Sequence, residues 1–253
     1  MRSPSRRRLA AGIRNGSMAI ATLKAPLRWL LRATVDGSKL FTRGGLRAFT
    51  TRQFASIAPG ADVLLVGAGG EINGLLLRFA RERGFAVTQI DVDPARNPDI
   101  VADICDWRAP AAYDVVVMCE VLEHVHAPAR AIESVLLPLR PGGRLIATVP
   151  FIYPIHERPV DYFRYIKFGI RRLLAGFESA DVRERDSWPE AMLVLGVRTA
   201  MSGSRRLAAV SPLFVVAALV GYPFAWALGR LFPADFLTSG YLVTAVKGGG
   251  PPG

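Results

Sequence analysis

Residues 113–125, YDVVVMCEVLEHV, begin as an apolar, β-branched run and end in Glu120, Glu123 and His124. A buried strand has no structural use for that cluster of charge. On one turn of helix, spacing of i, i+3 and i+4 would set the three side chains on one side. A histidine between two carboxylates there is suited to accept a substrate hydroxyl proton. The alternative is structural: Glu120 begins a helical turn and favours its positive end, and His124 packs against the sheet. A second cluster, FIYPIHERPVDYFRY at residues 151–165, offers Tyr153, His156, Asp161, Tyr162 and Arg164 for binding a substrate, with His156 or His124 as base. Its bland counterpart is a loop that packs aromatics on a sheet edge.

Three more features lie upstream. GAGGEING, residues 67–74, places Gly67, Ala68 and Gly69 in a turn where glycine lets the backbone approach a ligand and a helix N-terminus follows. A dinucleotide fingerprint would need glycine at position 72, which is Ile72, so a nicotinamide cofactor is disfavoured. Asp91 ends VTQID, where a carboxylate can accept both hydroxyls of a ribose. Asp103 follows in VADI, placed to accept from an exocyclic amine while Ile104 offers an apolar face to a base.

The elements that must carry these residues are legible from periodicity. DVLLV, FAVTQID, DIVAD, YDVVVM and RLIATVP read as strands. INGLLLRFARERG reads as a helix ended at Gly84, and APARAIESVLLPLRPGG as one closed by Pro141 and Gly142. Short apolar strands separated by helices imply an α/β, doubly wound parallel sheet covered on both faces, with ligands beyond the carboxyl ends of its strands.

These stretches together resemble the class I S-adenosylmethionine-dependent methyltransferases. The resemblance runs from about Asp62 to Phe177 and again near the C-terminus, and is carried by VLLVGAGG, VTQIDVDP, DIVADICDW, YDVVVMCEVLEHV and LLPLRPGGRLIATVPFIYPIHERPVDYFRY. It implies a Rossmann-like sheet of seven strands with an antiparallel last strand, GYLVTAVK at 240–247, and S-adenosylmethionine as cofactor. The glycine turn would approach the methionine part, Asp91 the ribose, Asp103 and Ile104 the adenine, and the segment from Glu120 would shape the pocket. The chain departs from the family pattern at Leu65, where an acid is usual, and at Glu71, where a third glycine is usual. The E-x-x-E-H pattern is similar to that of ubiquinone-type and small-RNA 2′-O-methyltransferases, which implies a divalent cation on Glu120, Glu123, His124 and His156. Residue types and spacing alone assign no metal ligand. HERPVDYFRY resembles bacterial members that modify sugars and the cell envelope.

Composition bounds the setting. The 253 residues are 51% hydrophobic, with mean hydropathy +0.26. The net charge of +11 resides in residues 1–53, where twelve basic residues face Asp36 alone. The other 200 residues hold 20 basic and 20 acidic side chains, which speaks against a nucleic-acid partner and confines basic attraction to the arm. Residues 17–33 fit a short amphipathic helix interrupted at Pro26, and the arm suits anionic lipid or, equally, a disordered tail with a packing helix. Cys105 and Cys119 lack metal-ligand spacing and are compatible with a reducing cytoplasm. No charge occurs between Arg206 and Arg230, a length sufficient to span a bilayer, while Pro212, Gly221 and Pro223 point to a broken or shallow element. If the strand at 240–247 rejoins the sheet, the chain leaves and returns on one side, which fits a hairpin in one leaflet and not a single crossing; the alternative is a buried core helix.

The expected organisation is a basic arm (1–53), a methyltransferase core (54–206), a membrane-associating insertion (207–233) and a last strand with tail (234–253). The expected activity is O-methylation of a lipid-linked or sugar-containing acceptor at the cytoplasmic membrane face. The alternatives are a membrane-bound module with a degenerate cofactor site, and a nucleic-acid methyltransferase.

Overall fold

The structure is a computed structural model that describes residues 42–202 and 205–249. The expected amphipathic helix at 17–33 and most of the basic arm lie outside the described residues. The chain divides into two compact units. One, the sheet unit, comprises residues 46–151, 162–184 and those from 240 onward. The other holds 152–161 and 185–239, with the chain up to Gly45.

The sheet unit contains seven strands: β1 (Asp62–Val66), β2 (Ala86–Asp91), β3 (Ile100–Val101), β4 (Tyr113–Cys119), β5 (Leu139–Pro150), β6 (Ser179–Glu184) and β7 (Gly240–Val246), in the order β3-β2-β1-β4-β5-β7-β6. Strands β1 to β5 are parallel, and β7 runs antiparallel to both β5 and β6. Val63 to Val66 are all buried, as are Val115 to Cys119, because both sheet faces are covered. Leu64, Val116 and Met118 belong to one apolar cluster; Val63, Leu65 and Val117 belong to the other, with Phe54 of α1 (Gly44–Ala55) and Leu76 of α2 (Glu71–Arg83). The strand order reverses between β1 and β4, whose register pairs Val63 with Val115 and Leu65 with Val117. That adjacency brings the ends of these two strands, and therefore the glycine turn and Glu120, to one edge.

Gly84 ends α2 as its sequence predicts, in the left-handed conformation with its N–H on the Ala80 carbonyl. Pro141 and Gly142, however, do not close a helix. Helix α3 (Pro128–Leu136) stops earlier, and β5 is already under way at Leu139. The pairing jumps from Tyr113–Leu139 to Val115–Arg144, so Arg140–Gly143 protrude as an irregularity within the strand. Gly142 has φ +75°, and a Cβ on Gly143 would lie 2.9 Å from the Arg140 carbonyl oxygen. The protrusion aims Arg140 at both neighbouring strands: its guanidinium donates to Asp114 Oδ2 at 2.7 Å and Asp62 Oδ2 at 2.8 Å. Burial opposes ionisation of Asp114, but the Asp62 N–H bond and Arg140 outweigh it and hold its carboxyl below the ordinary value.

Helix α4 (Lys167–Leu173) precedes β6, an edge strand in which Val182 alone is buried. In the second unit, α5 (Trp188–Ser202) and α6 (Arg205–Leu231) form a helical pair. The expected break at the prolines is absent: α6 runs through Pro212 and Pro223. Each proline removes one backbone donor, and packing on α5 compensates. Val197 and Leu193 meet Val215 and Ala218, and Gly221 lies beside Leu193. The second arm of the hairpin is thus α5, upstream of the apolar stretch. Asp186 ties the two ends of this excursion, accepting from Thr238 Oγ1 at 2.9 Å, from the Ser239 N–H at 2.7 Å and from the Ser239 hydroxyl. Burial pushes the Asp186 carboxyl up, and these bonds offset part of that shift.

Two glycines with opposite surroundings test this packing. Gly143→Ala should destabilise the protein by about 1–3 kcal/mol, because the added methyl meets backbone oxygens that cannot give way. Gly74→Ala, where nothing lies within 4 Å, should stabilise α2 by roughly 0.5–1 kcal/mol. Urea unfolding of both variants checks the pair, and equal shifts would show that the protrusion is not rigid.

Candidate active site

In the sheet unit, Gly67, Ala68, Gly69, Asp91, Asp103, Ile104 and Glu120 all follow or end strands at the carboxyl edge of the parallel sheet. Gly67, Gly69 and Gly70 have φ of +86°, +85° and +86°, values that side chains rarely adopt. A Cβ on Gly67 would meet Val121 Cγ2 at 2.9 Å, whereas the Cβ positions of Gly69 and Gly70 point into open space. The first glycine thus serves close packing of the turn against the residue after Glu120. The next two leave room for a ligand.

Asp91 holds the turn. Its Oδ2 accepts from the Ala68 N–H at 2.7 Å and its Oδ1 from the Asp93 N–H at 2.8 Å. A carboxylate carries about four acceptor positions, so lone pairs remain for ribose hydroxyls. Two residues that sequence reading missed reinforce the loop. Arg96 donates to the Ala68 carbonyl at 2.8 Å with its guanidinium 3.9 Å from Asp91, and Asn73 Nδ2 donates to the Gly67 carbonyl at 2.7 Å. Asn73 is buried on an otherwise apolar face of α2, and a polar residue just inside such a helix was the available signal. Arg96 gave none.

Asp103 uses Oδ1 to accept from the Cys105 N–H at 2.8 Å, and its Oδ2 lies 3.6 Å from His126 Nδ1. His126 is exposed and faces this acid. Ile104 is buried in the core cluster with Val66 and Ile90. Burial pushes the Cys105 thiol up, and Sγ donates to the Ala127 carbonyl, so this cysteine is not a ready nucleophile.

The opening cluster differs from its helical expectation. Glu120 sits at φ +55°, outside any helix; its Oε1 accepts from Thr148 Oγ1 at 2.9 Å. Only Leu122–His124 form a 3₁₀ turn, so Glu120 does not share one helical face with Glu123 and His124. The left-handed residue breaks the period on which that expectation relied. Glu123 is fully buried, and His124 Nε2 lies 3.6 Å from its Oε1. The Glu123 carbonyl accepts the Tyr162 and Phe163 N–H groups, while Tyr165 donates its hydroxyl to the Leu122 carbonyl at 3.0 Å. Burial, and then the negative Glu123, push the Tyr165 phenol far above its ordinary value. Tyr162 is half exposed, and Arg164 donates to the Phe163 carbonyl.

Tyr153, His156 and Asp161 belong to the second unit. There Asp161, almost fully covered, lies with Oδ2 at 3.2 Å from His156 Nδ1 and accepts the His156 N–H at 2.9 Å. Tyr153 packs edge-on against the His156 ring. Asp161 is thus turned onto the histidine, holding its backbone N–H and lying beside its ring.

The departures from the family pattern have physical correlates. Leu65 is fully buried in the cluster with Phe54 and Leu76, and Glu71 forms an ion pair with Arg47.

A family model described as a methyltransferase domain matches residues 39–176. The ubiquinone biosynthesis O-methyltransferase of Xylella fastidiosa (strain 9a5c) is 36% identical over 105 residues, covering 35% of this chain and 42% of that protein. Its counterpart in Aeromonas salmonicida (strain A449) is 31% identical over 123 residues, covering 42% and 48%. The chain therefore spans less than half the length of these relatives. Among solved structures, a SAM-dependent methyltransferase from Archaeoglobus fulgidus superposes with a TM-score of 0.53 at 14% identity, covering 81% of this chain and 94% of that one. The fold is shared.

Asp91→Ala should weaken S-adenosylmethionine at least tenfold, the loss of charge-assisted bonds of about 1.5–3 kcal/mol, while circular dichroism shows the domain folded. An unchanged dissociation constant by calorimetry would reduce Asp91 to a loop anchor.

Proposed function

The chain belongs to the methyltransferase-domain family, and on that premise we propose that it transfers a methyl group from S-adenosylmethionine to an oxygen of a lipid-linked acceptor, quinone-type or sugar-containing, at the cytoplasmic membrane face. The observation that carries the cofactor assignment is the glycine turn pinned to Asp91, with open space beyond Gly69 and Gly70. Oxygen as the acceptor atom is supported by the relatives named as ubiquinone O-methyltransferases. A lipid-linked acceptor is supported by the apolar surface of α6.

When bound, S-adenosylmethionine supplies a methyl group made electrophilic by a positively charged sulfur. Asp91 would hold the ribose and Asp103 the adenine amine. Tyr153, Tyr162 and Arg164 would orient the acceptor, since positioning in line is the larger part of such catalysis. His156, oriented by Asp161, would take the hydroxyl proton. His124 stands in a comparable pairing, its Nε2 3.6 Å from Glu123 Oε1, and is the alternative base. A divalent cation would supply Lewis-acid assistance, and a histidine that ligates it would not also serve as the base. The rival reading, a membrane-bound module without turnover, draws on Leu65 and on Glu71.

His156→Ala should lower turnover about a hundredfold or more with cofactor affinity intact, and Asp161→Asn should lower it less while shifting its pH profile. Activity lost in EDTA and restored by magnesium or manganese would establish metal assistance. Wild-type turnover in both His156→Ala and His124→Ala would reduce the histidines to scaffolding. No binding at millimolar S-adenosylmethionine would favour the rival.

A further inference from the structure

Helix α6 has an unusual surface. From Val210 to Leu231 only Ser211, Val215, Ala218 and Ala225 are buried, a stripe at spacings of four, three and seven that marks a single face. The rest of the helix presents Leu213, Phe214, Val216, Leu219, Val220 and Phe224, with Leu213 70% and Phe224 73% exposed. Such a surface is far larger than the scattered apolar residues of an ordinary soluble face.

The ends of the apolar stretch identify what covers it. Residues 207–229 carry no charge, while Arg205 and Arg206 open the helix and Arg230 closes it. Arg230 sits 3.8 Å over the ring of Trp226, which is itself 46% exposed. Beyond it Trp188 stacks on Phe236 and donates Nε1–H to the Phe232 carbonyl. Arginine and tryptophan at the limits of an apolar stretch are the groups that settle at lipid headgroups. The basic arm supplies further attraction to anionic lipid.

Length alone would allow α6 to cross the bilayer, since 23 uncharged residues span about 35 Å. Its partner helix argues otherwise. Near the Ser202 end of α5, Arg198 donates to Thr42 Oγ1 at 2.9 Å and stacks over Tyr153 at 5.5 Å. Thr42 and Tyr153 lie outside the hairpin but in the same unit. Upright insertion would carry an arginine and both partner segments past the headgroups into the apolar layer, at high cost. Laid flat, α6 keeps α5 and its polar contacts on the protein side and turns only its exposed apolar face to lipid.

We propose that α6 is an in-plane membrane anchor: it lies along the surface of an anionic bilayer, its outer face sunk into the acyl boundary and its terminal arginines at the headgroups. This rests on the membrane-face reading above but not on catalysis.

The full chain should co-sediment with vesicles of phosphatidylcholine containing about one-third phosphatidylglycerol, and less with phosphatidylcholine alone. The triple variant Leu213→Ser, Val220→Ser, Phe224→Ser should lose most of this binding while its circular dichroism and its affinity for S-adenosylmethionine match wild type. Spin labels on Leu213→Cys, Val220→Cys and Phe224→Cys, made separately, should report similar depths, and the two native cysteines are buried. A depth gradient along these positions would show a crossing helix and overturn the proposal. So would a detergent-free, monodisperse protein indifferent to vesicles, or a dimer that the triple variant dissociates. Vesicle binding without cofactor binding would instead refute the methyl-transfer reading and leave the anchor standing.

Discussion

The bond from the Ala68 N–H to Asp91 Oδ2 is the constraint on which the site depends. It fastens the turn after β1 to the end of β2, so that three positive-φ glycines, Gly67, Gly69 and Gly70, keep one shape. Glycine is conformationally permissive and loses more entropy on ordering than other residues. A turn so rich in it needs fixed neighbours. Asp91 and Arg96 grip it from the β2 side, Asn73 from α2, and Val121 closes against Gly67 from beyond β4. Strand order makes this possible: β1 has β2 on one side and β4 on the other, so both flanks of the turn are supplied by the strands that carry the other candidate residues.

How far the fold could be read from sequence depended on burial. β1 and β4 were legible because covering both faces leaves uninterrupted runs of valine and leucine, and Gly84 was legible because a helix end favours a left-handed residue. β6 was not, because SADVRE is an edge strand with one buried side chain and carries no alternation. The protrusion at Arg140–Gly143 was misread because Pro-Gly after an apolar run is equally the signature of a helix end, and only pairing with β4 distinguishes the two. α6 was misread for the converse reason. Its prolines carry a local penalty, and the compensating contacts with α5 are separated from them in sequence.

The candidate site divides in the same way. Strand-end residues such as Asp91 and Asp103 were legible because topology fixes where strand ends go. Side-chain partners were not, since Glu120 on Thr148 depends on backbone handedness and Asp161 on His156 depends on the path of a loop. The cluster that first drew attention is thereby redistributed: one carboxylate bonded to β5, one buried, and one histidine partly covered between the core and solvent.

The two-helix excursion begins after β6 and ends before β7, and Glu184 and Tyr241 are register partners in the sheet. Its points of departure and return are therefore as close as the ends of an ordinary hairpin turn. Insertion there adds no new crossing to the sheet and changes no strand neighbour. The connection is in effect a grafting point, where accessory segments can be exchanged during evolution, or excised by design, while the strand pairing stays intact.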